Sequence, residues 1–397
     1  MNNFRMYVPT DIRFGKDRLN ELPEVLGAYG KRVLLAYGGG SIKRFGLYDN
    51  VVNLLKSNGF HIVELTGIEP NPKISSVREG VKLVRENELN VILAVGGGSV
   101  VDAAKVIAGA VYYDGDAWDL VEDGSKMGKA LPIIDILTLA ATGTEMNRNA
   151  VISNPEINEK LGTSGWELLP KASFLDPTNT FTVPTGQTAA GAADILSHLF
   201  EQYFNRTDGV DVQDNIAEGL MKAVIKNAPI ALKTPDDYIA RANILWASTL
   251  ALNGIPGNGR AGGWTCHPIE HELSAYYDIT HGIGLAILTP RWMKYCLDND
   301  ETTVSKFAKY GRQVWHFEGE NDSEIAHRAV KATYEFLKSL DIPMTLPEVG
   351  IETDELVDEM SAQAVVHGGL SNGAFVELEK ENVAQIIRAC FAEMIEF

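Results

Sequence analysis

Four of the eight histidines in this 397-residue chain fall between residues 198 and 281. Asp194 and His198, in AADILSHLFE, are four apart, so a helix would turn both to one face. His267 and His271 repeat that spacing in GGWTCHPIEHELSAYYDITHGIGLAI, and His281 opens the apolar run that follows. One carboxylate with three imidazoles is a ligand set for a borderline divalent cation, Fe²⁺ or Zn²⁺. A single histidine on an apolar face is usually a packed core residue. Four of them beside a helical aspartate are better explained as a metal site.

A second chemistry competes for the same residues. His267-Pro268-Ile269-Glu270-His271 spells H-x-x-E-H, the pattern in which inverted zinc metalloproteases use two histidine ligands and a glutamate base. That reading leaves Asp194, His198 and His281 without a role. His61, His316 and His327 stand in surroundings typical of surface residues, and His367, in VVHGGL, has no role that the sequence defines. Cys266 adjoins a candidate ligand but has no base beside it, so a packed thiol is expected.

Two glycine clusters suggest an anion. Gly38-Gly39-Gly40-Ser41 and Gly96-Gly97-Gly98-Ser99 each follow an apolar strand pattern, and the second runs directly into a helical one, VVDAAKVIAGA. Glycines there let backbone approach a ligand, and the N–H groups of a helix start bind phosphate or pyrophosphate. A tight turn alone would also favour glycine, and G-x-G-x-x-G is not present. Two such turns at the carboxyl ends of strands strengthen the nucleotide reading. TLAATGTE, Thr138 to Glu145, closes the fourth strand similarly and brings three hydroxyls. Asp102, one turn into the helix, is read as N-terminal stabilisation.

The elements that must hold these residues divide at about residue 185. Before it, KRVLLAY, HIVELTG, NVILAV and LPIIDILTLA read as strands alternating with helical patterns over Leu47–Lys56, ISSVREGVKLVRENE and SVVDAAKVIAGAVYY. This order implies a parallel sheet covered on both faces. AVISNPEINEKLGTS reads as an added hairpin around Asn154-Pro155. After Pro184 the apolar spacing becomes three and four residues, in TAAGAADILSHLFEQYF, DVQDNIAEGLMKAVIKNAPIALK, PDDYIARANILWASTLALN and at roughly 281–297, 321–339 and 381–395. The expected architecture is an α/β Rossmann-like dinucleotide-binding domain over 1–185 and an all-helical metal and catalytic domain over 186–397.

Composition narrows the function classes. The net charge of −18 argues against nucleic-acid binding, which draws on an excess of Lys and Arg. Three widely spaced cysteines imply no disulfide framework. The first residues carry no signal-like apolar segment, and no run is long enough to span a bilayer. A cytoplasmic protein with no membrane partner is expected.

Taken together, YGGGSIK, EPNPKI, VGGGSVVDAAK, AATGTEMNRNAVI, the Asp194–His198 pair and CHPIEHELSAYYDITHGIGLAI resemble the iron-containing alcohol dehydrogenase family, nearest its butanol-dehydrogenase and aldehyde-reductase branch. The likeness is strong to about residue 295 and weaker beyond. It implies a nucleotide domain followed by a helical metal domain, with the site in the cleft between them, and a homo-oligomer, expected as a dimer. The metal ligands it implies are Asp194, His198, His267 and His281, with His271 relaying a proton or polarising substrate and His267 beside it in the catalytic group. Gly38, Gly39, Gly40, Ser41, Asn71, Gly96, Gly97, Gly98, Ser99, Thr138, Thr142, Asn149 and Lys160 match positions that line the nucleotide. Trp264 and Asn149 are expected near the substrate.

The resemblance also bears on the cofactor. NAD-using branches of the family place an aspartate where this chain has Gly39, with Ser41, Lys43 and Arg44 following. Removing that carboxylate removes repulsion against a 2′-phosphate, so NADP(H) is expected over NAD(H). Small primary alcohols and aldehydes are the substrate class implied. A metal- and NAD-dependent lyase of the same fold, like the dehydroquinate synthases, is the alternative, and the one-Asp, three-His set disfavours it.

Overall fold

The computed structural model describes residues 1–394 and 396–397. It separates into two compact units: Tyr7–Pro184 with Thr234–Asn253, and Met1–Met6 with Thr185–Lys233 and Gly254–Phe397.

The first unit is built on six parallel strands: β1 (Asp11–Phe14), β2 (Arg32–Tyr37), β3 (His61–Leu65), β4 (Val91–Gly96), β5 (Ile133–Leu137) and β8 (Ala172–Leu175). Their order across the sheet is β1-β8-β5-β4-β2-β3. β6 (Asn149–Asn154) and β7 (Glu159–Ser164) form a separate antiparallel hairpin. Central strands buried on both faces need unbroken apolar runs, and VLLAY and VILAV supply them. Val33, Leu35, Val91, Leu93, Val95, Ile134 and Ile136 share one core with Leu22, Leu26, Val51 and Leu55 of the helices Leu22–Gly27 and Leu47–Ser57. The helix Gly98–Ala110 packs on β4 and β5. The connection from β2 leads outward to β3, while that from β4 leads the opposite way to β5. β2 and β4 therefore flank the switch point, where open α/β sheets bind ligands. Both glycine clusters emerge there.

β1 and β8 do not stand out in the sequence. Each is only four residues long, and β1, DIRF, lies at the sheet edge with two of its four residues charged.

The second unit is helical, with no strand among its described residues. The helix Thr185–Tyr203 packs on Asp211–Lys233 and on His281–Asn299. Cys266–Tyr277 packs on His281–Asn299 and Val357–Gly368. Phe200, Tyr203, Phe204, Trp292, Phe307, Tyr310 and Phe375 form a continuous aromatic core. The last helix spans Lys380–Ala389, shorter than the expected 381–395, and residue 395 lies outside the described residues.

The two-domain division needs one correction. The chain leaves the sheet unit between Pro184 and Thr185, but 186–397 is not one block, because Thr234–Asn253 returns to that unit. Its helix, Tyr238–Ala251, is capped by the Asp237 carboxylate accepting from the Ala240 N–H at 2.9 Å, and the Thr249 hydroxyl reaches Glu145 at 2.5 Å. Helical periodicity marks an apolar face without saying which body will cover it. Conversely, Met1–Met6 joins the helical unit, the Met1 amine donating to the Asp208 carbonyl at 2.7 Å.

Among the described residues no helix is long and apolar enough to cross a membrane.

Candidate metal centre and nucleotide loops

Three helices bring the metal candidates together. Thr185–Tyr203 carries Asp194 and His198, Cys266–Tyr277 carries His267, and His281 begins His281–Asn299. The three Nε2 atoms converge on a single carboxylate oxygen. Asp194 Oδ1 lies 3.6 Å from His198, 3.9 Å from His267 and 3.6 Å from His281. These distances exceed a hydrogen bond. Those to His198 and His281 match the separation of ligands around one ion, since donors about 2.0–2.2 Å from a tetrahedral metal stand about 3.3–3.6 Å apart, and His267 stands a little farther out. His267 Nε2 is buried with no hydrogen-bond partner. A buried imidazole nitrogen aimed at a carboxylate and bonded to nothing fits a metal ligand. The donor set, one carboxylate and three imidazoles, suits Fe²⁺ or Zn²⁺.

The opposite ring nitrogens decide which tautomer is held. Glu201, buried, accepts from the backbone N–H of His267 at 2.7 Å and that of Thr265 at 2.7 Å, and lies 3.1 Å from His267 Nδ1. Glu270, fully buried, pairs with His281 Nδ1 and accepts from the Ser274 hydroxyl at 2.5 Å. Carboxylates there hold the proton on Nδ1 and leave Nε2 free to ligate. His198 differs: its Nδ1 is buried without a partner, and its ring instead stacks on His267 with centroids 4.8 Å apart. Burial, together with the neighbouring His267 and His281, drives its pKa well below the usual imidazole value and keeps it neutral.

Gly282 and Gly284 explain how these helices approach so closely. A Cβ at Gly282 would overlap the Ala190 carbonyl, and one at Gly284 would meet Glu270 Cγ at 2.8 Å.

His271 stands beside this group without joining the convergence on Asp194. Its ring centroid is 5.6 Å from that of His281 and 6.4 Å from that of His267. Trp264 packs on His267 at 4.6 Å. Cys266 is buried, and its thiol pKa is raised well above the ordinary value by burial. His367 Nδ1 pairs with Glu272 at 2.8 Å.

The metalloprotease expectation is overturned here. Glu270, its required base, is enclosed between Ser274 and His281, and the ligand that His267 faces is Asp194 rather than His271.

Sequence reasoning misses Glu201 as a partner and sees Glu270 only as a protease base. A signal for Glu201 does exist: Asp194, His198 and Glu201 stand at i, i+4 and i+7, one helical face.

In the sheet unit the glycine loops sit at the carboxyl ends of β2 and β4. Gly97 precedes the helix Gly98–Ala110, and a Cβ on Gly98 would overlap the Thr142 side chain. Thr138 donates its N–H to the Gly96 carbonyl at 2.9 Å, so the TLAATGTE segment lies directly against the second loop. Gly40, at φ +94°, caps the short helix Ser41–Arg44, and Gly39 has open space around it. Lys160, on β7, is buried within electrostatic reach of Asp102. Asn71 is largely buried with φ +49° just before Pro72, whose carbonyl accepts from Ser153 on β6 at 2.9 Å. Asn149 begins β6 with its side chain exposed. Asp102 is more than a helix-start charge: it accepts from the Thr144 hydroxyl at 2.6 Å and the Val151 N–H at 3.0 Å.

Comparison with known proteins agrees with this assembly. The family model for iron-containing alcohol dehydrogenase matches residues 9–177, and that for the C-terminal part of the Fe-containing alcohol dehydrogenase family matches 188–391. The chain is 52% identical over 392 residues to NADH-dependent butanol dehydrogenase A of Clostridium acetobutylicum, covering 98% of this chain and 100% of that one. It is 39% identical to the NADPH-dependent aldehyde reductase YqhD of Escherichia coli, covering 89% and 90%. The crystal structure of NADH-dependent butanol dehydrogenase A from Thermotoga maritima superposes with a TM-score of 0.93 at 41% identity, covering 99% of each chain. With both parts of the chain matched by that family's models, this protein belongs to the iron-containing alcohol dehydrogenase family.

Proposed function

We propose that this oxidoreductase interconverts small aldehydes of butanal size and their primary alcohols, with Asp194, His198, His267 and His281 holding Fe²⁺ or Zn²⁺ and with NADPH preferred to NADH. The observation that carries the reading is the convergence of three imidazole Nε2 atoms on one oxygen of Asp194.

When bound, the ion supplies Lewis-acid polarisation of the substrate oxygen, and the nicotinamide supplies or accepts the hydride. The chain's own contributions can be assigned residue by residue. Asp194 brings the single negative charge of the ligand set, while Glu201 and Glu270 fix the tautomers of His267 and His281. The N–H groups at the start of the helix Gly98–Ala110, with Ser99, would hold the pyrophosphate. Gly38, Gly39, Gly40, Ser41, Asn71, Thr138, Thr142, Asn149 and Lys160 line the rest of the nucleotide. His271 exchanges the substrate proton with water.

The NADPH preference is supported by Gly39, where an added Cβ would meet no atom within 4 Å, and by Lys43 and Arg44 in the turn that follows. The relatives span both cofactors: the Clostridium enzyme is named NADH-dependent and the Escherichia enzyme NADPH-dependent. Those names are of dehydrogenases and reductases, so the lyase alternative is set aside.

The test follows nicotinamide absorbance with a panel of aldehydes, NADPH and NADH in parallel, after chelation and after restoring Fe²⁺ or Zn²⁺. Turnover of butanal that is lost on chelation and regained with either ion is expected. Full turnover by the metal-free protein would overturn the assignment.

A further inference from the structure

Lys105 is wholly buried on the helix Gly98–Ala110, and neither the metal site nor the glycine turn requires it. Five oxygens surround its ammonium. Nζ lies 2.7 Å from both the carbonyl and hydroxyl of Thr144, 2.9 and 3.0 Å from the carbonyl and side-chain oxygens of Asn147, and 2.7 Å from the Asn149 carbonyl. An ammonium has three protons to donate. Five inward-facing oxygens, three of them backbone carbonyls, are the environment of a coordinated monovalent cation more than of a hydrogen-bonded lysine.

The cage has its own supports. Asn147 donates from Nδ2 to the Gly143 carbonyl at 2.9 Å and accepts the Asn149 N–H at 2.9 Å. Thr144 directs its single hydroxyl proton to Asp102 at 2.6 Å, so one of the carboxylates that act on the cation is linked to it through the cage itself. Between a single 3₁₀ turn at Thr144–Met146 and Asn149, where β6 begins, the segment has no helix or strand of its own. Thr249 and Ser173 hold its Glu145 from outside, and Lys105 supplies the positive charge at its centre. The same segment begins beside Thr142, against Gly98, and ends at Asn149.

We propose that Lys105 is a tethered monovalent cation that shapes the nucleotide-lining segment Thr142–Asn149, and that free K⁺ or NH₄⁺ takes its place when the side chain is cut back to alanine. This rests on the reading that the segment lines the nucleotide. Lys105 is thus a positioning residue, acting on the cofactor through the loop it holds. Burial pushes its own pKa down to about 8, while Asp102, and after it Asp135 and Glu145, oppose that shift, the balance expected of a cation enclosed by dipoles with counter-charges near it.

The test compares wild type with Lys105→Ala, prepared and assayed in potassium, ammonium and choline chloride at one ionic strength. Thermal melting is read without cofactor, and NADPH affinity by nucleotide fluorescence. Lys105→Ala should melt roughly 3 °C or more higher in potassium or ammonium than in choline, because an ion bound to the native state alone stabilises it. In choline its NADPH affinity should fall about tenfold, the scale of a lost charge-assisted contact, and recover in potassium. KM for the cofactor should follow the salt, while kcat at saturating cofactor should move much less. Wild type should show no such dependence. The proposal is overturned if the variant melts and binds alike in all three salts, if wild type responds to potassium equally, or if the variant fails to fold even in potassium and ammonium. Failure of wild type to bind NADPH in any salt would instead remove the nucleotide reading, and the melting comparison would still judge the cation site.

Discussion

One oxygen of Glu201 serves both the backbone and the ring of His267, at 2.7 Å from its N–H and 3.1 Å from Nδ1. Its other oxygen holds Thr265, so this carboxylate fixes where the helix Cys266–Tyr277 begins as well as how its histidine is turned. A single buried side chain thereby couples local folding to the orientation of the His267 ring.

Glu201→Gln should weaken both roles at once. The amide keeps nearly the same volume, but it offers one acceptor to two backbone N–H groups and no longer carries the charge that would make the ring a strong donor to the metal. Metal affinity should fall by about 10–100-fold, the usual range for a lost ligand-orienting partner. Competition with a chromophoric chelator measures this directly. An affinity equal to wild type would reduce Glu201 to a helix-start residue.

His198 and His271 should answer differently to removal. His198→Ala takes away a nitrogen that faces Asp194 and should leave protein that retains little metal and does not turn over. His271→Ala should keep its metal and lose about 10²–10⁴-fold in kcat, the contribution of a positioned acid–base group. Elemental analysis beside steady-state rates distinguishes the two. Metal loss from His271→Ala as complete as from His267→Ala would make His271 a ligand.

Much of this organisation is legible in the order of the residues. Strong apolar runs mark the central strands, and helical spacing pairs Asp194 with His198 and His267 with His271. The weak edge strand β1 is not legible, because a four-residue edge strand that is only partly buried needs no long apolar run. The return of Tyr238–Ala251 to the sheet unit depends on Thr249 and Glu145, a pair far apart in sequence that no local pattern signals. The cage around Lys105 is hidden for another reason: its ligands are mostly backbone carbonyls, which every residue carries. By spacing alone, Asp102 and Lys105 are ordinary helix charges; only the chain folded around them sets them apart.

The helical unit carries a charge cluster with a clear pH signature. Asp214 is buried and accepts from Arg260 at 2.6 Å, Lys306 at 2.7 Å and Lys309 at 2.6 Å. Burial alone would raise its pKa, but the hydrogen bonds from Lys306, Lys309 and Arg260 outweigh that and hold it below its ordinary value. Its folded pKa being the lower one, the stabilisation is complete above the unfolded value of 3.8 and is lost as pH falls through the folded value. Asp214→Asn should cost about 3 kcal/mol at pH 7, the low end for breaking a buried pair because Lys309 can turn to water. Denaturant unfolding of both proteins should show that difference narrowing steadily as the pH is taken below about 4. A difference that persists undiminished in acid would mean that packing, not charge, holds the site.

The cofactor preference is tested where the side chain has been removed. A Cβ at Gly39 meets no atom within 4 Å, so Gly39→Asp places its carboxylate in open space and should not disturb the fold. That carboxylate would repel a 2′-phosphate and would accept hydrogen bonds from a free ribose diol. Wild type should therefore have the lower KM for NADPH, and the variant the lower KM for NADH. A charge-assisted contact is worth about 1.5–3 kcal/mol, so the ratio of the two KM values should move by roughly one to two decades. Both proteins are to be compared at one ionic strength, since salt screens Lys43 and Arg44. Lys43 adds a second constraint. Its ammonium lies 4.9 Å from the ring centre of Tyr37 and 4.5 Å from that of Tyr48, and both phenols donate to Glu64, at 2.5 and 2.7 Å. To meet a phosphate, Lys43 must leave those rings, and Glu64→Gln, which removes its nearby counter-charge, should lower the KM for NADPH while leaving that for NADH unchanged. A wild-type preference for NADH, with Gly39→Asp leaving the ratio where it was, would mean that the 2′ position is read by groups other than this loop.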